Sequence, residues 1–406
     1  MDSVFSSQFP SVEESLKNRI PLKEWKCNDT RDYEKIKAVG KGTFGCVYKA
    51  IYKKGTKEQR IVALKQIIIF EEQGFPKIAL REILIMKQLN HKNILKLEEI
   101  LFTSPKDKNK NRGNVYLVFP YMDQDLSGVR MKGISFNMSQ IKYIFYQVMS
   151  GIAYLHKCKV IHRDIKSSNI LMNSKGDIVL GDYGLARRDS RENNKQYTYK
   201  VATPFYRAPE ILLGWRDYGQ EIDIWSAGCV FAELLTGNII FEIYHEKELL
   251  NKIFSICGTP NEKTWPGITS MPNYDAFYQK TTYNNSLREY FKDNKFVDDV
   301  TFDLIKRLLE LNPKNRITAE QALNHDFFKV EPHMCKPEEL PKLEELHEYQ
   351  TLNDKKEMKN KISDLKIKNE GQDMEIGNRD YIGKKRYDSS SKDVTPSKFD
   401  KKEKFS

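Results

Sequence analysis

The run His162-Arg163-Asp164-Ile165-Lys166-Ser167-Ser168-Asn169 sets an acid, a cation and an amide side by side in one short stretch. Such a trio can divide three jobs in phosphoryl transfer. Asp164 accepts the proton of an attacking hydroxyl and orients its oxygen, Lys166 neutralises charge developing on the transferred group, and Asn169 ligates Mg²⁺. A second acid, Asp182, opens Asp182-Tyr183-Gly184 after the apolar run IVLG and suits the metal that bridges the phosphates of ATP. Upstream, Gly40-Lys41-Gly42-Thr43-Phe44-Gly45-Cys46-Val47 spells GxGxxGxV, whose glycines let the backbone close over phosphates with no Cβ in the way. That pattern alone also fits a dinucleotide-binding turn. A strand, not a helix, is expected after it, which counts against that reading. Lys65 ends Val62-Ala63-Leu64-Lys65; a lysine in an apolar strand ordinarily faces solvent, but Glu82 on the next expected helix offers a partner that aims its ammonium at the α/β-phosphates. Ala208-Pro209-Glu210 closes the series. Singly, each motif fits a turn or a capped helix end; in this order they describe one ATP-dependent phosphotransfer centre.

Alternating apolar runs predict strands in YEKIKAVG, CVYKAIY, IVALKQIIIF, LKLEEILF and NVYLVF. KIALREILIMKQL predicts a helix between the third and fourth, with Pro76 in its first turn. Beyond Tyr121 the spacing becomes helical, in SQIKYIFYQVMSGIAYLH with Ser139 as its cap, in EIDIWSAGCVFAELLTG and in VTFDLIKRLLEL. The expected fold class is therefore α+β, in two lobes: a β-rich N-lobe over 31–122 and an α-helical C-lobe over 123–330, with the cleft near Pro120–Asp125. Residues 1–30 read as an arm, and 331–406 as a charged, largely disordered tail in which LPKLEELHEYQTLNDKKEMKNKI suits a helix on a partner.

The net charge is +11, yet the tail balances 17 Lys and Arg against 17 Asp and Glu, so the excess lies on residues 1–330. Such a field steers acidic or phosphorylated partners, and equally describes a lysine-rich surface. No apolar run is long enough to span a membrane, and no base-reading module is recognisable, so neither membrane nor direct nucleic-acid binding is expected. The six cysteines lie far apart with no CxxC pair, which points to reduced thiols inside a cell.

These motifs resemble the eukaryotic protein kinase family over roughly residues 33–328. The resemblance implies a bilobal protein kinase fold, ATP and Mg²⁺ as cofactors, and catalytic roles for Asp164, Lys166, Lys65 and Glu82, with Asn169 and Asp182 on the metal. It implies an ATP site of Gly40 to Val47, Ala63, Lys65, the gatekeeper Phe119, the hinge residues Pro120 and Met122, Asp125 at the ribose, and Leu171. It adds Asp223 and Trp225 as anchors of the catalytic loop and Glu210 with Arg316 as a structural ion pair. Tyr183 stands where Phe is usual, so its hydroxyl needs a partner.

Phe75-Pro76-Lys77-Ile78-Ala79-Leu80-Arg81-Glu82 is similar to the PSTAIRE/PITALRE signature of cyclin-dependent kinases, which implies a cyclin docked on the Pro76–Leu89 helix; a helix buried all round would show the same apolar pattern. Thr198 sits where that family carries its activating phosphothreonine, with Arg81, Arg163 and Arg187 converging on it. Lys200 stands where a MAP kinase has tyrosine. Arg207 matches the arginine that occupies the Ala202 carbonyl and so favours Ser/Thr-Pro substrates; Pro204 and Phe205 depart from the family pattern. PKIALRE, the basic insert SPKDKNKNRGNVYLVF, GWRDYGQEIDIWSAGC and ALNHDFF resemble transcription-elongation kinases of the P-TEFb and Bur type. This implies a nuclear enzyme acting on the repeats of RNA polymerase II, with a cell-cycle kinase as the alternative and a catalytically silent cyclin-binding scaffold as a remote one. Gly383-Lys384-Lys385-Arg386 suits nuclear import or solvated charge, and Thr395-Pro396 suits autophosphorylation.

Overall fold

In the computed structural model of the 406-residue chain, residues 27–42, 45–53, 60–69, 75–102, 115–189, 203–277 and 281–358 are described. Thr43, Phe44, Thr198, Ala202, Gly383–Arg386 and Thr395 lie outside them. The first lobe is a six-stranded sheet of β1 (Cys27–Asp29), β2 (Tyr33–Gly42), β3 (Gly45–Tyr52), β4 (Arg60–Ile67), β5 (Glu99–Phe102) and β6 (Val115–Pro120), in the order β1-β5-β6-β4-β3-β2. All five expected strands are present. β1 was not expected: it lies in the stretch read as an arm and pairs parallel with β5 at the sheet edge.

Period-two alternation decides which residues reach the cleft. On β4, Val62 and Leu64 join Ala50, Leu101, Tyr116 and Val118 in a small core on one face. Lys65 therefore points the other way, with Ala63 and Ile67, toward the main core. That face is covered by α1 (Lys77–Met86), whose Ala79, Glu82, Ile83 and Met86 are buried at helical spacing.

The second lobe follows β7 (Gln124–Asp125), α2 (Leu126–Met131) and α3 (Met138–Lys157). Asn137, not Ser139, caps α3: its side chain accepts from the Gln140 amide while the Gln140 side chain accepts from the Asn137 N–H. Short strands β8 (Val160–Ile161), β9 (Ile170–Met172), β10 (Ile178–Leu180) and β11 (Arg187–Arg188) carry the loops between them. Then come α4 (Pro209–Leu212), α5 (Glu221–Thr236), α6 (Glu246–Cys257), α7 (Tyr274–Phe277), α8 (Leu287–Tyr290), α9 (Asp299–Leu308) and α10 (Ala319–Leu323). α5 is buried almost all round and ends at Gly237, whose φ of 74° fits glycine.

The boundary expected at Val330 is not where packing stops. The compact unit runs to Asn353, and 331–346 lie along the helical lobe as far as the hinge. Leu346 bridges Gln124 in parallel register, its N–H donating to the Asp123 carbonyl at 3.1 Å and its carbonyl accepting from Asp125 N–H at 3.0 Å. Glu345 pairs with Lys37 on β2 and Lys49 on β3; burial opposes its charge, but the two ammonium groups hold its carboxyl at about 2. The segment LPKLEELH is thus extended and spent on the chain's own hinge, and helix begins only at residue 348. Besides the Leu346 backbone, the Leu343 and Glu344 carbonyls accept from Gln124 Nε2 at 3.1 and 3.0 Å. From Asp354 the described residues continue as helix to 358.

Candidate active site

The sheet register delivers the first set of residues. Gly42 opposes Gly45 at the turn of the glycine motif, Gly40 opposes Val47, and Val47 opposes Lys65. Gly45 has φ of 151°, and a Cβ there would lie 1.9 Å from the Gln66 carbonyl oxygen, so no other residue fits. Gly40, Lys41 and Gly42 thus end β2, and Gly45, Cys46 and Val47 start β3 above the cleft. Ala63 opposes Phe119 on β6, which is buried and leads through Pro120 to Met122, 6% exposed, in the hinge. Leu171 on β9 opposes Asp125 on β7, below the hinge.

Asp125 is not a free carboxylate. One oxygen accepts from the Gly128 amide at 2.7 Å, capping α2, and the other accepts from the Glu348 amide at 2.8 Å, with His347 Nδ1 at 3.5 Å. Any ribose contact therefore competes with bonds the chain already makes. His347 also meets the hinge through Tyr121, ring to ring at 6.0 Å.

Lys65 Nζ lies 2.7 Å from Glu82 Oε1 and 3.0 Å from Asp182 Oδ1. Burial works against the lysine charge, yet the Asp182 and Glu82 carboxylates raise its pKa above the ordinary lysine value. Lys65 in turn holds the Asp182 carboxyl at about 2, against the opposing effect of its burial. The helix, the strand and the DYG loop are therefore tied at one ammonium.

The second set hangs on α5. Asp223 in its first turn accepts from the His162 amide at 2.9 Å and the Arg163 amide at 2.8 Å, and His156 Nε2 lies 3.0 Å away. Burial opposes the charge of Asp223, but these hydrogen bonds keep its pKa below the usual carboxylate value. His162 Nε2 is 3.0 Å from the Gly181 carbonyl, tying the catalytic loop to the DYG loop. Arg163 and Asp182 both adopt left-handed backbone, φ 66° and 56°, a conformation costing on the order of 1–3 kcal/mol that persists only where the surroundings enforce it. The Asp223 network is that enforcement at Arg163.

Within this frame, Asp164 Oδ2 is 3.0 Å from Lys166 Nζ and accepts from Asn169 Nδ2 at 3.0 Å. Asp164 Oδ1 accepts from both the amide and the hydroxyl of Thr203 at 3.1 Å, and Lys166 Nζ donates to the same hydroxyl at 3.0 Å. Thr203 carries no sequence signal for a site role beyond standing just before Pro204 in the closing segment. A hydroxyl held between this acid and this lysine occupies the kind of position an acceptor alcohol needs. Asn169 Nδ2 is committed to Asp164, which leaves its amide oxygen for a ligand, and the Asn169 carbonyl accepts from the Gly181 amide at 2.8 Å, one residue before Asp182. The Asn169 amide oxygen and the Asp182 carboxylate suit Mg²⁺, which takes few protein ligands and completes its shell with phosphates and water.

Tyr183 finds the partner its hydroxyl needs: fully buried, it donates to the Leu180 carbonyl at 3.1 Å. Glu210 and Arg316 form the expected pair, with bonds of 2.7 and 3.0 Å. Arg207 pairs with Glu246 at 2.5 Å. Arg81 and Arg163 lie near one another: burial and the Arg163 charge both lower the pKa of Arg81. Arg187 sits on β11, opposite Ile161 and so beside the same loop.

A protein kinase domain family matches residues 33–328. Cyclin-dependent kinase C-1 of Oryza sativa subsp. japonica is 43% identical over 347 residues, 82% of this chain and 66% of that protein. Cyclin-dependent kinase 9 of Homo sapiens is 39% identical over 315 residues, covering 75% of this chain and 82% of its own. The chain spans just under two thirds of the length of the four plant relatives, 64–66%. Among solved structures, the yeast RNA Pol II CTD kinase CTDK-1 complex contains a chain with a TM-score of 0.67 and 37% identity, covering 77% of this chain and 97% of that one.

Proposed function

Because this chain belongs to the protein kinase family, and within it to the cyclin-dependent kinases, we propose that it transfers the γ-phosphate of ATP to serine or threonine, in the company of a cyclin and at Ser/Thr-Pro sites. The observation that carries the reading is the cluster of Asp164, Lys166, Asn169 and Thr203 beside the Lys65–Glu82–Asp182 triad. Lys65 grips the α/β-phosphates, with Glu82 keeping it in place. Asp164 receives the proton of the acceptor hydroxyl and orients its oxygen for in-line attack, and Lys166 offsets negative charge on the transferring group. Mg²⁺ held by Asp182 and Asn169 supplies charge neutralisation on the phosphates when bound.

The cyclin site is the outer face of α1. Leu80 and Leu84, one turn apart, are each 49% exposed while the opposite face is buried, which is the pattern of a helix awaiting a second apolar surface. We expect Leu80→Glu or Leu84→Glu to weaken binding of the purified cyclin by about tenfold or more, without lowering the melting temperature of the chain alone. Calorimetric titration checks this, and wild-type affinity in both variants would remove α1 from the interface. Phosphorylation of Thr198 would draw Arg81, Arg163 and Arg187 together and offset the Arg163 charge that, after burial, lowers the Arg81 pKa.

RNA polymerase II repeats are the proposed substrate, and nuclear residence follows from it. The likeness to the yeast RNA Pol II CTD kinase CTDK-1 complex and to the relatives above supports this choice over a cell-cycle target. The test is turnover of YSPTSPS-repeat peptides against a histone-type peptide, with the co-purified cyclin identified. We expect preference for the repeats. Preference for the histone-type peptide would keep the chemistry and overturn the substrate.

A further inference from the structure

The segment closing the active site carries an aromatic feature that phosphotransfer itself does not use. Two residues beyond Thr203, the Phe205 ring meets Tyr244 edge to face, with centroids 4.9 Å apart and planes at 77°. Tyr244 is 74% exposed, against 38% for Trp215 and 39% for Tyr290, so its ring stands out from the surface far more than either. It is also held there. Phe241 is fully buried and stacks on Trp225 at 5.8 Å, Ile243 packs against the core, and Glu246 two residues on is paired with Arg207. The loop is thus anchored on both sides of an outward-facing ring, which removes much of the entropy cost of using it.

We infer that Phe205 and Tyr244 form a substrate-binding shelf that takes a second apolar residue, proline by preference, lying downstream of the acceptor's own proline. This rests on the Ser/Thr-Pro reading above. Thr203 bonds Asp164, Phe205 follows it two residues on, and Tyr244 packs against Phe205, so the corner is linked to the acceptor site through one short stretch of chain. Two aromatic faces at a steep angle make a corner for an extended chain. Proline covers such a surface with a flat apolar ring and leaves no N–H unsatisfied. Arg207 and Glu246 are paired with each other, so nothing in that pair selects for a charged substrate residue.

The test uses the full chain with its cyclin and two peptides, one containing Ser-Pro-Thr-Ser-Pro and one containing Ser-Pro-Thr-Ser-Gly, with only the first serine available as acceptor. We expect wild type to favour the first through a lower KM, with similar kcat. In Tyr244→Ala the ratio of kcat/KM between the peptides falls by about fivefold, and in Tyr244→Phe it is retained. Because Tyr244 is exposed, neither variant threatens the fold. A ratio unchanged in Tyr244→Ala overturns the shelf. A ratio lost equally in Tyr244→Phe assigns discrimination to the hydroxyl and overturns it as well. Absence of any Ser-Pro turnover by wild type overturns the underlying reading first, and the shelf with it.

Discussion

Replacing Asp164 by Asn is expected to lower kcat for peptide phosphorylation by about 10²–10⁴-fold while leaving ATP affinity close to that of wild type. Asn retains an oxygen to accept from Thr203, so the loop keeps that anchor. What disappears is the carboxylate that receives the acceptor proton in the proposed mechanism and that pairs with Lys166 at 3.0 Å. Lys65, Glu82 and Asp182, which hold the phosphates in the proposed mechanism, are untouched, and nucleotide titration separates the two effects. A variant within tenfold of wild-type kcat would show that the acceptor is activated elsewhere and would return Asp164 to a structural role.

A loss of stability of about 3–5 kcal/mol is expected for Arg316→Ala. Both side chains of the Arg316–Glu210 pair are dry, at 0% and 1% exposure, so the variant leaves a carboxylate buried without its partner. Arg316 also donates to the carbonyls of Glu310, Glu221 and Leu311, and its guanidinium lies 5.2 Å from the Trp225 ring. Those acceptors lose their donors too. The melting temperature should drop on the order of 10 °C. Because Glu210 follows Pro209 at the end of the closing segment, activity should fall at temperatures where the fold is still largely intact. Glu210→Ala combined with Arg316→Ala should cost less than the sum of the single changes, since the double variant strands no charge. A drop of under about 2 °C for Arg316→Ala would mean that water reaches the site and that the pair does not hold the segment.

Much of this site was legible because phosphotransfer leaves few choices of residue type. A glycine turn between strands, a lysine in an apolar strand, and an acid, lysine and amide in one loop each have a chemical reason, and their order along the chain fixes the fold class. Strand alternation even settles the side on which Lys65 lies. The sequence also determined that α1 carries apolar residues on more than one face, though not which face stays open.

Only the tertiary structure decided that Leu80 and Leu84 are the open ones, since burial depends on what the sheet covers. It alone brought Thr203 between Asp164 and Lys166, which are separated from it by nearly forty residues (39 and 37). The largest departure was the stretch after Val330. Its charge and scarcity of aromatics read as disorder, because composition reports how much apolar surface a segment can bury, not whether backbone edges and lysines elsewhere await it. Leu346 on the hinge backbone and Glu345 between Lys37 and Lys49 are contacts across some 220 to 310 residues (221 to 308 by position), which no local pattern encodes. Local chemistry and periodicity are written in neighbouring residues; which surfaces are left open or covered is settled only when distant segments meet.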